Sequence, residues 1–227
     1  MSANKKFIVW DWNGTLLDDT DSVLIALNAV LKKSDHAPIS METFQNTSTT
    51  NRQKFYRDVG VSEEKIDQLL ESERNVFHDN YEPLADHAPL RHGAADILHH
   101  LKSNSVSSLI LSNHIADQIN RLLVKNGIQH HFDEVMAYSD RQNQFRHMTK
   151  GDKLRQHIDA KGLNSANAII VGDTTEEIEI AHSLGMTSVA ITGGVHSEKR
   201  LSEKNPDHLI HSLPELTRIL EQREFVA

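Results

Sequence analysis

The feature that most constrains this 227-residue chain is an alternation of short, continuous apolar runs with longer helical patterns. Runs this short, without polar residues at alternate positions, are typical of strands buried on both faces. Strands separated by helices predict an α/β fold with a parallel sheet. The runs are FIVWD at 7–11, SSLILS at 107–112, AIIVGD at 168–173 and SVAIT at 188–192, with DEVMAY at 133–138 as a weaker fifth.

The helical patterns divide the chain into two domains. Segments 94–102, 115–125, 151–160 and 176–184 place apolar residues on one side of a helix and connect the predicted strands. Residues 18–88 contain no clear strand. There we predict three helices: one capped by Asp21, one covering 49–59 and one starting at Ser62. The sequence therefore predicts an α/β core formed by 1–17 and 89–227, and an inserted helical domain at 18–88.

Composition excludes several functional classes. The net charge is −8 with no basic stripe, which argues against a nucleic-acid partner. No apolar stretch approaches the ~20 residues that a membrane span needs, and the polar start MSANKKF does not resemble a signal peptide. The chain has no cysteine, which rules out thiol catalysis and fits a reducing compartment. We therefore expect a cytoplasmic protein with no membrane contact.

Three polar residues stand where predicted strands end. Asp11, Ser112 and Asp173 each follow an apolar run. Because ligands of parallel α/β sheets bind at the carboxyl ends of the strands, we expect these side chains to converge in one crevice.

The same segments carry a resemblance to a known family. DWNGTLLD at 11–18, LILSNH at 109–114, TKGDKL at 149–154 and IIVGDTTEEIEIA at 169–181 resemble, in order, the four motifs of the haloacid dehalogenase superfamily, on its phosphatase side. The resemblance covers nearly the whole chain. It implies a Rossmann-like parallel sheet core with an inserted all-helical cap domain, and a small phosphorylated metabolite as substrate.

The resemblance also implies a role for each motif residue. Asp11 is the nucleophile that forms an aspartyl-phosphate, Ser112 holds a phosphoryl oxygen, and Lys150 neutralises Asp11 and the phosphate, with Lys153 as a competitor for that last role. Magnesium is the implied cofactor, held by Asp11, the backbone carbonyl of Asn13 and Asp173, with Glu177 as an outer partner or a ligand. The residues expected to contact the substrate are Asn113, Thr15 and, from the helical insertion, Arg52.

Position 13 departs from the family pattern, which has an aspartate there as proton donor and acceptor. An amide keeps the backbone carbonyl but performs neither proton transfer, and such help is worth ~10²–10⁴-fold in rate. Four explanations remain open: a slow phosphatase for substrates with good leaving groups, a non-hydrolytic phospho-ligand binder or regulator, an Asp→Asn substitution made to trap a complex, or another acid. The candidates for that acid are Asp18, Asp19 and His114. Besides an enzyme and a ligand-binding module, a purely structural protein is a third functional class, and it would leave the motif set unused.

Overall fold

A parallel six-stranded sheet forms the centre of the computed structural model, which describes residues 5–139 and 148–226. The strand order is β3-β2-β1-β4-β5-β6, and every neighbouring pair is parallel. The predicted parallel α/β fold is confirmed. The strands are β1 (Phe7–Trp10), β2 (Ser107–Ile115), β3 (Glu134–Tyr138), β4 (Ala168–Gly172), β5 (Thr187–Ile191) and β6 (His208–Ile210).

The helices fall into two sets, one in the insertion after β1 and one around the sheet. The first set is α1 (Thr20–Leu31), α2 (Met41–Thr47), α3 (Arg52–Asp58) and α4 (Glu63–Ala85). The second set is α5 (Ala94–Ser103), α6 (Ala116–Lys125), α7 (Lys150–Lys161), α8 (Thr175–Leu184), α9 (Glu198–Glu203) and α10 (Leu216–Gln222). Short 3₁₀ turns occur at Lys32–Ser34, Gln129–His131, Ser165–Asn167 and Leu213–Glu215. No helix in the described ranges combines the length and apolar character that crossing a bilayer requires.

The central strand β1 shows why the sheet is covered on both faces. Ile8 and Trp10 pack into one apolar cluster with α5, α6 and α10. Phe7 and Val9, which point the other way, pack into a second cluster with α7 and α8. Both faces of β1 are therefore buried, and the run needs no polar alternation.

The helices α1–α4 build their own apolar cluster. It contains Leu27 and Leu31 of α1, Phe44 of α2, Phe55 of α3 and Leu69 of α4. The segment that the sequence marks as helical thus packs mainly on itself, beside the sheet core.

The structure corrects several local expectations. Asp19, not Asp21, precedes the first residue of α1. Its side chain makes no capping hydrogen bond to the helix and instead accepts from Gly14 in the loop after β1. Helix α4 continues past Phe77 to Ala85, and the sequence patterns did not predict α2. The apolar run near 208 forms the edge strand β6.

Strand β2 ends in an irregularity that shapes the site. Leu111 pairs with Met136 and Ile115 pairs with Tyr138, so the register shifts between these two pairs. A bulge of this kind bends a strand and redirects its side chains. Residues 112–114 therefore leave the regular ladder at the carboxyl edge of the sheet.

We expect the stability of the molecule to depend on the buried centre of β4. Ile170→Ala, at a residue 1% exposed, should lower the free energy of unfolding by ~2–5 kcal/mol because it leaves a cavity. Val124→Ala, at a residue 60% exposed on α6, is the matched control and should change it by less than ~0.5 kcal/mol. Urea unfolding followed by circular dichroism measures both values, and equal effects would contradict the assignment of β4 to the core.

Candidate active site

The carboxyl ends of β1, β2 and β4 meet under the helical insertion and form a crevice of about 460 Å³. Strand β1 lies between β2 and β4, so the residues that follow these strands are spatial neighbours. This is the position at which strand order reverses and ligands of such sheets bind. The predicted site residues that line it are Asp11, Asn13, Arg52, Ser112, Asn113, Lys150 and Glu177.

Lys150 is the charged centre of the site. It is the first residue of α7, held there by a reciprocal hydrogen-bonding box between Thr149 and Asp152. Its Nζ donates to Asp11 Oδ1 at 2.6 Å and also to Glu177 Oε1. The Lys150 side chain is only 3% exposed, so this contact is sheltered from solvent. Its competitor Lys153 lies instead over the ring of Tyr138, 3.1 Å from the centroid.

Asp173 lies beneath the crevice in a close-fitting pocket of backbone. Its Oδ1 accepts from Thr15 Oγ1 at 3.0 Å, and its Oδ2 accepts from the Val195 backbone N–H at 2.6 Å. Gly14, at φ +70°, allows this approach, since a Cβ there would lie 2.3 Å from Asp173 Oδ2. The loops after β1 and β5 thus fix the orientation of this carboxylate.

Thr15 bridges the two aspartates and does not reach the crevice. Its hydroxyl lies 3.5 Å from Asp11 Oδ2 and 3.0 Å from Asp173 Oδ1, and the residue is fully buried. The sequence resemblance implied a substrate contact. The structure places Thr15 as a support for the carboxylates.

Burial makes the negative charge of the site costly. It raises the pKa of Asp11 well above its ordinary value despite Lys150, and it raises the pKa of Asp173 to about 6, with Glu177 adding to the rise. Burial also opposes ionisation of Glu177, but Lys150 and Thr174 outweigh it and lower the Glu177 pKa. Burial disfavours the charged form of Lys150, yet Asp11 and Glu177 raise its pKa. Lys150 therefore has to balance the charge of three buried carboxylates, those of Asp11, Asp173 and Glu177.

This excess of negative charge fits a divalent cation. Hard cations such as Mg²⁺ prefer carboxylate and carbonyl oxygens and keep several waters. Within residues 5–139 and 148–226 no group of three or more His, Cys, Asp or Glu could hold a metal ion. The expected set needs only two carboxylates, Asp11 and Asp173, together with the Asn13 carbonyl. Glu177 contacts Lys150 through Oε1 and Thr174 through Oε2.

The bulged end of β2 supplies the neutral polar groups of the crevice. Ser112 Oγ accepts from the His114 backbone N–H at 3.0 Å. Asn113 Nδ2 donates to Glu176 Oε2 at 2.9 Å, and this contact ties β2 to the first turn of α8. Ser112 and Asn113 thus stand at the crevice wall.

Asn13 contacts Asp19, which the sequence suggested only as one of three candidates to replace the missing acid at position 13. Its Nδ2 donates to Asp19 Oδ2 at 2.7 Å and to the Tyr81 hydroxyl at 2.7 Å. Asp19 is 1% exposed, and burial raises its pKa, whereas donors from Tyr81, Asn13 and Gly14 act against the rise. Of the other candidate acids, Asp18 is exposed and His114 lines the crevice.

The helical insertion contributes more of the crevice than the sequence predicts. Besides Arg52 at the start of α3, Tyr81 of α4 lines it, and the core adds His196 and Arg200. Arg200 Nη1 donates to the Gln45 carbonyl at 2.9 Å, and Gln45 Nε2 donates to the Gly194 carbonyl at 2.8 Å. These contacts join α2 to α9 and to the loop after β5, and no local motif signals them.

Comparisons with known proteins show which family and which fold this chain resembles. A family model described as haloacid dehalogenase-like hydrolase matches residues 8–191. A phosphoglycolate phosphatase from Synechococcus elongatus is 26% identical over 215 residues, covering 95% of this chain and 97% of that relative. The fold is shared with a haloacid dehalogenase-like hydrolase from Streptococcus pneumoniae, at a TM-score of 0.79 and 21% identity, with coverage of 96% and 100%. It is also shared with a hydrolase of this family from Deinococcus radiodurans, at a TM-score of 0.72 and 16% identity, with coverage of 100% and 99%. That hydrolase was crystallised with bound phosphate and sodium.

The close approach at Gly14 predicts a site-specific effect of adding a methyl group. Gly14→Ala should destabilise the protein and displace the Asp173 carboxylate, because its Cβ would overlap Oδ2. Gly127→Ala is the matched control, since φ there is +69° and nothing lies within 4 Å of the added Cβ. The control should cost only the roughly 1–2 kcal/mol of left-handed backbone strain. Thermal unfolding compares the two, and equal losses would contradict the steric account.

Removing the central charge should destabilise the fold as well as the site. Lys150→Met leaves Asp11 and Glu177 buried without their cation, which we expect to cost ~3–5 kcal/mol near neutral pH. Lys153→Met, one turn further along α7, removes a cation–π contact with Tyr138 and should cost less than ~2 kcal/mol. Urea unfolding measures both, and an equally mild effect of the two changes would contradict the central role of Lys150.

Proposed function

Because the chain belongs to the haloacid dehalogenase-like hydrolase family, we propose that it is a magnesium-dependent phosphatase acting through an aspartyl-phosphate on Asp11. The observation that carries the proposal is the buried contact of Lys150 with Asp11 at the crevice wall, 2.6 Å between Nζ and Oδ1. A charge held in this way beside a carboxylate matches the needs of phosphoryl transfer, in which positioning and charge neutralisation do most of the work.

The proposed reaction assigns a task to each crevice residue. One Asp11 oxygen attacks phosphorus in line with the departing group and forms a covalent phosphoryl-enzyme. Lys150 neutralises the incoming phosphoryl oxygens and Asp11. Ser112 and the backbone N–H groups of the β2 bulge hold a phosphoryl oxygen and keep the reacting atoms aligned. Water then releases phosphate and restores Asp11.

The proposed magnesium is held by Asp11, the Asn13 backbone carbonyl and Asp173. When bound, it neutralises negative charge on the phosphoryl oxygens. Glu177 acts from outside this set: its Oε1 accepts from Lys150 and so holds that side chain in place. Thr15 and the Val195 N–H keep Asp173 oriented.

The proposed substrate is a small phosphorylated metabolite. The helical segment at 18–88 acts as the cap, with Arg52 as a substrate contact from the cap and Asn113 as one from the core. A crevice of about 460 Å³ suits a small molecule rather than a folded protein or a nucleic acid. Phosphoglycolate is the first substrate to test, since it names the activity of the Synechococcus elongatus relative. We place the activity in the cytoplasm.

Asn13 supports a second candidate function. Without an acid at position 13, the protein can bind a phosphorylated ligand with magnesium and not hydrolyse it. In that case the chain is a phospho-ligand sensor or regulator. The retained nucleophile Asp11 favours hydrolysis.

The two functions give opposite results in one assay. With magnesium, the unmodified protein should hydrolyse members of a panel of acetyl phosphate, p-nitrophenyl phosphate, phosphoglycolate and sugar phosphates. Asp11→Asn should abolish turnover, and EDTA should suppress it reversibly. Intact mass should show a phosphoryl-enzyme in the unmodified protein only.

Turnover that survives Asp11→Asn would contradict the aspartyl-phosphate route. Magnesium-dependent binding of phosphoglycolate by calorimetry, without turnover of any panel member, would establish the regulator instead.

A further inference from the structure

The side-chain amide of Asn13 is held by a buried network rather than left free in the crevice. Its Nδ2 lies 2.7 Å from Asp19 Oδ2 and 2.7 Å from the Tyr81 hydroxyl oxygen. Tyr81 belongs to α4 of the helical insertion, and its hydroxyl donates to Asp19 Oδ2 at 2.5 Å. The Gly14 backbone N–H donates to the other Asp19 oxygen at 2.8 Å.

This network fixes which edge of the Asn13 amide turns inward. Asp19 receives hydrogen bonds from Gly14, Asn13 and Tyr81. Turning the amide over would place Asn13 Oδ1 against the Asp19 carboxylate, an acceptor facing an acceptor. That arrangement would forfeit two buried hydrogen bonds, and leaving such groups unsatisfied is costly.

The outward edge of the amide is therefore its oxygen. Asn13 lines the crevice, and across the described residues no hydrogen bond reaches its Oδ1. This oxygen can accept a hydrogen bond from water but has no proton to give. The Tyr81 hydroxyl does not donate into the crevice either, because it donates its single hydrogen to Asp19.

We propose that Asp19 and Tyr81 lock residue 13 as a hydrogen-bond acceptor, so that the enzyme selects phosphates whose leaving group departs without a proton, acyl phosphates first among them. This inference rests on the proposed phosphatase function and narrows its substrate class. Asp19 and Tyr81 are positioning residues, since they act through Asn13.

The balance of the two steps shows why the selection follows. First, Asp11 Oδ forms a bond to phosphorus, and the bond from phosphorus to the leaving oxygen breaks. The leaving group departs with the electron pair, and a carboxylate from an acyl phosphate needs no proton. Next, water attacks phosphorus while Asn13 Oδ1 orients it. The bond to Asp11 breaks, and both water protons leave on the phosphate as H₂PO₄⁻.

A series of leaving groups tests the selection. We expect kcat/KM of the unmodified protein to fall steeply from acetyl phosphate through p-nitrophenyl phosphate and phenyl phosphate to an alkyl phosphate. Asn13→Asp should flatten this dependence, with a gain of ~10²–10⁴-fold confined to the alkyl end. Asp11→Asn should be inactive throughout.

An equally flat dependence in the unmodified protein would overturn the inference and point to another donor at the crevice, such as His114 or Glu176. That result leaves the proposed function intact. Absence of turnover and of phosphoryl-enzyme with every member, acetyl phosphate included, would overturn the proposed function itself.

The positioning role of Asp19 is tested separately. The amide introduced by Asp19→Asn both accepts and donates hydrogen bonds. It therefore permits the Asn13 amide to rotate by half a turn, and the Asn13 oxygen then no longer orients the water. With acetyl phosphate we expect a several-fold fall in kcat, little change in kcat/KM, and more phosphoryl-enzyme by intact mass. Tyr81→Phe, which keeps the ring, should act in the same direction.

Asp21→Asn, at an exposed acid in the first turn of α1, is the charge-matched control. Parallel losses of kcat and kcat/KM in both variants, without extra phosphoryl-enzyme, would mean a structural role only and overturn the lock.

Discussion

The buried contact of Lys150 with Asp11 and Glu177 is the constraint on which the rest of the site depends. A lysine this sheltered is stable only when carboxylates surround it, and carboxylates this sheltered are stable only beside a cation. Three elements meet there: the end of β1, the start of α7 and the first turn of α8. Their packing is therefore tied to the charge arrangement.

Glu177 illustrates how local structure secures that contact. Thr174 and Glu177 form a reciprocal box at the start of α8, so one Glu177 oxygen satisfies the helix end. The other oxygen remains for Lys150. The glutamate side chain thus satisfies a helix terminus and Lys150 at the same time, and Asp11 and Asp173 are left for the proposed cation.

Sequence patterns predicted the first five strands and the nearness of Asp11, Ser112 and Asp173, with Asp11 and Ser112 at the crevice and Asp173 beneath it, because both follow from short-range rules. Buried parallel strands need continuous apolar runs, and polar residues at their carboxyl ends meet by geometry. The rest depends on contacts remote in sequence. Thr15 turned away from the crevice because Asp173 lies beneath it, 158 positions along the chain. Tyr81 meets Asn13 across 68 positions, and no local signal marks that pairing.

The surroundings of position 13 bear on why an amide stands there. An aspartate in that place would set a second carboxyl group about where Asn13 Nδ2 now lies, 2.7 Å from Asp19 Oδ2. Two carboxylates so close cannot both ionise, and one would hold a shared proton. The amide satisfies Asp19 and Tyr81 without that proton. Asn13 and Asp19 are therefore complementary: the acidic group is the buried Asp19, and the acceptor oxygen belongs to Asn13, which lines the crevice. This complementarity favours a chemistry built around the amide over a damaged version of the family's usual acid–base step.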